Sequence, residues 1–152
     1  MPILTCFDVA DYFLSLVDKE SAESISNFKL QKLVYYAQGY HLAMYGKTLF
    51  NEPIEAWENG PIINVLLEKY KPYKSNPIDK PEKMDLAKFS EDVKKLLAAI
   101  IKKYGQFGPA KLRDITHEEL PWINGFAKTD KIIADADLKQ YFMTQIEGKQ
   151  IK

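Results

Sequence analysis

This sequence of 152 residues predicts a mainly α fold: a single compact helical domain over residues 1–152, with six or seven helices and at most one small β-hairpin. Three observations carry that expectation. Apolar residues recur at three- and four-residue spacing in segment after segment. Ser, Thr, Gly or Pro stands at the junctions between those segments, where helices start and stop. The helical period fails in one apolar stretch only, Lys47 to Asn59.

The first helix is expected from about Asp8 to Asp18, capped by Thr5 or Asp8, with Phe7, Ala10, Phe13, Leu14 and Val17 on its apolar face. Ser21 to Ser26 is a polar break. Ser26 or Asn27 then caps a second helix that runs to about Tyr45. Its stripe reads Leu30, Leu33, Val34, Ala37, His41 and Met44, with Tyr36 and Tyr40 on the flank. Gly46 supplies the left-handed residue that ends many helices. Between Lys47 and Asn59, Leu49-Phe50 and Ile54 to Trp57 alternate loosely around Asn51-Glu52-Pro53, as a small hairpin or an extended loop would.

Gly60-Pro61 reads as the start of a third helix, carrying Ile62, Val65, Leu66 and Tyr70, because proline at the first helical position loses no hydrogen bond. Lys71 to Lys83, with Pro72, Pro77 and Pro81, reads as a surface loop. Ser90 caps a fourth helix through Tyr104, with Val93, Leu96, Leu97, Ile100 and Ile101 inward and Gly105 at its end. Gly108-Pro109 opens a fifth, with Leu112 and Ile115, ended by Thr116 or His117. Pro121 opens a short helix through Ala127 that carries Trp122, Ile123 and Phe126. The last helix follows Asp135, with Leu138, Tyr141, Phe142 and Ile146, and the tail beyond Gly148 is expected to fray.

Composition narrows the function classes. Lys+Arg and Asp+Glu both number 21, so the net charge is zero and no surplus favours nucleic acid. Charge is uneven along the chain: acidic over the first 26 residues, lysine-rich from Lys69 to Lys111. Such faces are either simply solvated or steer a charged partner. Cys6 is the one cysteine, so no intramolecular disulfide forms, as expected in a reducing cytoplasm, and its apolar neighbours suggest core packing. The start has no basic n-region, and no apolar run reaches the ~20 residues of a membrane span.

Chemistry finds little support. There is no GxGxxG and no GxxxxGK[ST], so no nucleotide cofactor is expected. His41 and His117 are the only histidines, and Thr116-His117-Glu118-Glu119-Leu120-Pro121 lacks the second imidazole of HExxH, so no metal is expected either. No serine sits in a GxSxG elbow. A hydrolase using His117 and Glu118 is the alternative enzymatic reading, and a non-enzymatic role is the main one. His41 reads equally as a core-edge histidine, and His117 as a helix-end residue satisfying a free carbonyl. Trp57 and Trp122 are either core anchors or partner contacts. Tyr35, Tyr36, Tyr40 and Tyr45 occupy successive turns and cannot all face one way, so some aromatic surface is expected to stay exposed, as at an interface.

A family resemblance joins these pieces. Lys29-Leu30-Gln31-Lys32-Leu33, Tyr36-Ala37-Gln38, His41-Leu42, Phe50, Ala56-Trp57, Gly60-Pro61 and the Thr116-His117-Glu118…Pro121-Trp122 box occur in one order. The set resembles the Panacea domain, the SocA-like antitoxin family, met in prophages as GepA. The resemblance implies an antitoxin that neutralises a toxin, encoded by the adjacent gene, by direct non-enzymatic binding. It also implies that a member can act as an adaptor to a protease, with no membrane or nucleic-acid partner. The surface it suggests gathers Tyr35, Tyr36, Tyr40 and His41, then Trp57, Glu58 and Asn59, then Thr116, His117 and Trp122. A phage- or mobile-element-encoded regulator that binds a host protein is the alternative. Asn59 and Gly125 depart from the family pattern, the latter weakening its helix.

Overall fold

The computed structural model describes residues 4–152; residues 1–3, the first of the expected 1–152 domain, lie outside the described residues. The mainly α expectation holds. Among the described residues there are seven α-helices: α1 (Cys6–Leu16), α2 (Asn27–Tyr45), α3 (Asn64–Tyr70), α4 (Glu91–Tyr104), α5 (Pro109–Thr116), α6 (Leu120–Phe126) and α7 (Asp135–Met143). They are joined by two antiparallel pairs, β1 (Glu55–Trp57) with β2 (Gly60–Ile62), and β3 (Ile146–Glu147) with β4 (Gln150–Ile151).

Local chemistry explains the helix ends. Thr5 and Asp8 form a reciprocal capping box, Asp8 N donating to Thr5 Oγ1 at 3.2 Å and Thr5 N to Asp8 Oδ2 at 2.9 Å. The box makes Asp8 the third helical residue, so α1 opens at Cys6 rather than Asp8. Ser26 caps α2, Ser90 caps α4, and Gly46 closes α2 with φ of 70°. Pro109 sits in the first turn of α5, as expected.

The molecule is built around α2. Every residue from Lys29 to Tyr40 is buried, so this helix has no solvent face over three turns. Helices α1, α3, α4, α5 and α7 and strand β2 pack around it. Helix α7 comes closest, because Gly39 lets the Phe142 ring lie directly on the α2 backbone. Phe142, Tyr35, Tyr36 and Tyr40 then form one aromatic cluster, with Tyr36 stacked on Tyr104 of α4 at 3.8 Å between centroids. Cys6 is buried, and burial pushes its thiol up to about 12, which fits packing rather than reactivity.

Three expectations are corrected. Gly60-Pro61 does not start a helix. It forms β2, with Gly60 at φ of 105°, and α3 begins at Asn64. A tertiary contact decides this: Gln31 Oε1 of α2 accepts from Ile63 N at 2.9 Å and holds the segment extended. The tail beyond Gly148 does not fray. Gly148 adopts φ of 62° and turns it back as β4, giving a second hairpin where at most one was expected. Tyr35, Tyr36 and Tyr40 do not form a contact surface: they are fully buried, because α4, α7 and the residues after α5 close over this part of the helix, and only Tyr45, at the end of α2, keeps part of its ring in solvent. Among the described residues, no helix is long and apolar enough to cross a membrane.

Candidate functional site

The polar residues of the α2 motifs act inward. Lys29 Nζ donates to the carbonyls of Gly105 at 2.6 Å and Glu23 at 2.9 Å, tying α2 to the end of α4. Gln31 bridges Asn27 Oδ1 and Ile63 N. Gln38 accepts from Leu49 N at 2.7 Å and donates to Phe50 O at 2.7 Å, which fixes the chain after α2. Glu119 takes the hydroxyls of Tyr35 at 2.9 Å and Tyr36 at 3.0 Å, one on each carboxylate oxygen. These are buried groups with partners, as burial of polar atoms requires.

Glu119 and Lys32, the latter also on α2, are under strong desolvation. Burial pushes the Glu119 carboxyl up to about 7 despite its two tyrosine donors. Burial, with the Arg113 cation adding to it, pulls Lys32 down to about 7. Among the described residues the Lys32 ammonium has one acceptor, Phe28 O at 3.2 Å, and it lies under Gly60, where a Cβ would meet the lysine stem at 2.8 Å. Gly60 is required there both by its φ and by this close approach.

Above that scaffold stands the β1–β2 hairpin. Its outer edge is held by the segment before α7, Ala56 N donating to Lys131 O at 2.7 Å and Ile133 N to Ile54 O at 2.8 Å. Helix α6 clamps its tip. Trp122 Nε1 donates to Trp57 O at 2.8 Å, and the Trp122 ring is stacked between His117 at 3.9 Å and Phe126 at 4.7 Å. Gly125 permits this clamp, since a Cβ there would meet Ile133 Cγ1 at 2.9 Å and Ala56 Cβ at 3.1 Å. The departure at Gly125 is therefore a close approach of α6 to the hairpin. The clamp holds the backbone of Trp57 while leaving its side chain 47% exposed.

That indole borders an open groove of about 640 Å³, whose apolar wall is Phe28, Trp57, Ile62, Leu67 and Phe126. Glu58, Asn59, Asn64 and Lys131 supply a polar rim. The Lys131 ammonium lies 4.2 Å from the Phe126 ring centre and donates to Phe126 O at 2.6 Å. An apolar floor with a polar margin is the anatomy of a protein-binding patch.

The expected site residues divide. Trp57, Glu58 and Asn59 line the groove. Trp122 and His117 support it from behind, and His117 Nε2 is buried with no hydrogen-bond partner among the described residues. Thr116 is buried, its hydroxyl donating to Arg113 O at 2.9 Å beneath Gly60. Tyr35, Tyr36 and Tyr40 are core. His41 lies near the other end of α2, its Nδ1 2.7 Å from Lys47 O, and burial lowers its affinity for a proton. Among the described residues, no hydrogen bond links the His117 ring to Glu118, and no group of three His, Cys, Asp or Glu side chains could hold a metal ion. Phe28, Phe126, Lys131, Lys32 and Glu119 were not expected. Phe28 carried one signal: it falls off the apolar stripe of α2 beside its cap.

The family described as antitoxin SocA-like, Panacea domain, matches residues 30–123, from α2 through the hairpin to α6. This chain belongs to that family. The Antitoxin SocA of Caulobacter vibrioides (strain NA1000 / CB15N) is 47% identical over 49 residues, which are 31% of this chain and 26% of that protein. The match thus spans about a quarter of the curated relative's length. No solved structure matches. Within the Panacea match fall Gln31, Lys32, Gln38, Glu119, the β1–β2 hairpin and Trp122, whereas Phe28, Phe126 and Lys131 of the groove lie just outside it.

Proposed function

We propose that this chain is an antitoxin that acts as a single helical domain in the cytoplasm and neutralises a cognate toxin by direct, non-enzymatic binding. The groove beside Trp57 is the seat of that toxin. The family supports the antitoxin role in general, and one observation carries the surface: the Trp57 indole is exposed although its backbone is pinned by Trp122 and its hairpin edge by the segment before α7. A rigid, half-exposed tryptophan beside Phe28 and Phe126 offers large contact area with little ordering entropy, the usual make-up of a binding hot spot. The partner's gene is read as the neighbouring one, and delivery of the toxin to a protease is compatible with the same surface.

The test is co-expression with the product of the adjacent gene, followed by co-purification and calorimetry. The expected result is that the neighbour is toxic alone, harmless with this chain, and bound in a complex that Trp57→Ala weakens by at least about tenfold. A complex of undiminished affinity in both Trp57→Ala and Phe28→Ala overturns the placement. A neighbour that is harmless alone overturns the antitoxin reading and favours a regulator of a host protein.

A further inference from the structure

A second groove lies at the other end of α2, between α4 and the β3–β4 hairpin. It holds about 750 Å³ and is bordered by Lys95, Lys102, Lys103, Lys149 and Lys152, against the single acid Asp92. Two of these lysines shape it. Lys103 Nζ donates to Lys152 O at 3.1 Å and binds the hairpin to α4. Lys149 Nζ donates to Met44 O at 2.7 Å and lies 4.1 Å from the Tyr45 ring centre. Lys95 and Lys102 are exposed, and neither has an ion-pair partner among the described residues. They stand two turns apart on one face of α4, about 10 Å along its axis. The floor between them is aliphatic: Met44, Leu96, Ala99 and Ile151.

We propose that this groove docks an acidic amphipathic helix of a partner protein, its aliphatic residues on the Leu96-Ala99-Ile151 floor and its carboxylates on Lys95 and Lys102. Charge complementarity selects the occupant. The chain as a whole has no net charge, so four surplus cations around one groove are a local feature rather than a general basic surface. The floor rejects nucleic acid as the better fit, because aliphatic groups offer nothing to a phosphate backbone and the one ring, Tyr45, is covered by Lys149. A helix with aliphatic residues at i, i+3, i+4 and i+7 and acids flanking them answers both the floor and the rim. Small Ala99, midway between the two free lysines, leaves room for its side chains. This inference is independent of the Trp57 groove, since Phe28 and Met44 lie about 24 Å apart along α2.

The experiment uses the full chain and a fluorescent synthetic helix with Leu at i, i+3, i+4 and i+7 and Glu at the flanking positions, read by anisotropy. Binding is expected, weakening at least about fivefold between about 50 and 300 mM salt because the lysines are at the surface. Lys95→Glu with Lys102→Glu is expected to weaken it at least about tenfold with the melting temperature unchanged, both side chains being exposed and unpaired. Trp57→Ala should leave it within about twofold, which separates this site from the proposed toxin seat. The inference is overturned if the double variant binds as the native chain does, if a peptide with Lys in place of Glu binds equally well, or if a DNA duplex of matching length competes more strongly than the peptide.

Discussion

Glu119 and Lys32 show how much of this protein's behaviour is set by single buried charges. Glu119 is pushed up to about 7 by burial, whereas an unfolded glutamate keeps its ordinary value near 4.5. The folded chain therefore holds a proton there that the unfolded chain has released, between those two pH values. Stability from this group is present below about pH 4.5 and is lost as pH rises to about 7, a change of about 3 kcal/mol. Glu119→Gln, which keeps an acceptor for a tyrosine hydroxyl, is expected to abolish that decline. Urea titrations at pH 5 and pH 8 check it: the native chain should fall behind the variant only at pH 8. Lys32 works with the opposite sign. Burial pulls it down to about 7, so the folded chain binds fewer protons than the unfolded chain between about 7 and 10.5, and its stability rises with pH across that window. Lys32→Met keeps the buried stem and removes the cation. It should gain about 1–3 kcal/mol at pH 7, and the gain should shrink by pH 10; an equal effect at both values would deny that the buried charge is the cause.

The elements of this fold meet at glycines, and there two principles compete. Gly39 lies mid-helix, where alanine would be favoured by about 1 kcal/mol. A Cβ there would fall on the Phe142 ring, so the close crossing of α2 and α7 outweighs the helical preference. Gly39→Ala is expected to lose about 1–3 kcal/mol by overpacking, and adding Phe142→Leu should recover part of it. A chemical denaturation cycle on the four proteins measures this, and a stabilised single variant would mean α7 moves aside freely. Gly125 plays the same part between α6 and the hairpin. Gly125→Ala should lower both partner affinity and the melting temperature, because its Cβ presses on the core residues Ala56 and Ile133 and displaces the clamp on Trp57; thermal melts and calorimetry read the two effects. Helix starts were legible because capping is local: Thr5, Ser26, Ser90 and Pro109 each act within one turn. Gly60-Pro61 was not, because the same dipeptide suits a helix start and a strand, and Gln31, far away in sequence, makes the choice.

Across the whole molecule, the residues that carry the Panacea resemblance and those that face solvent are largely different sets. Lys29, Gln31, Lys32, Gln38, Tyr36 and Thr116 are interior, so the motif holds the fold and leaves the surface free to vary. The two grooves, at opposite ends of α2, should then behave as separate sites. Combining Trp57→Ala with Lys95→Glu and Lys102→Glu is expected to leave each ligand's loss equal to that of its own substitution, within about 0.5 kcal/mol; titration of toxin and acidic peptide against the combined variant reads it. The sequence by itself determined the helical class, most helix boundaries, the absence of nucleotide and HExxH motifs, and the family, because periodicity, caps and motif order are local properties of the chain. The tertiary structure alone decided which aromatics are buried and which are presented. Tyr35, Tyr36 and Tyr40 look like a surface on an isolated helix, and become core only because α2 is enclosed on every side. Trp57 looks like an anchor, and its indole stands out in water only because Trp122 grips its backbone.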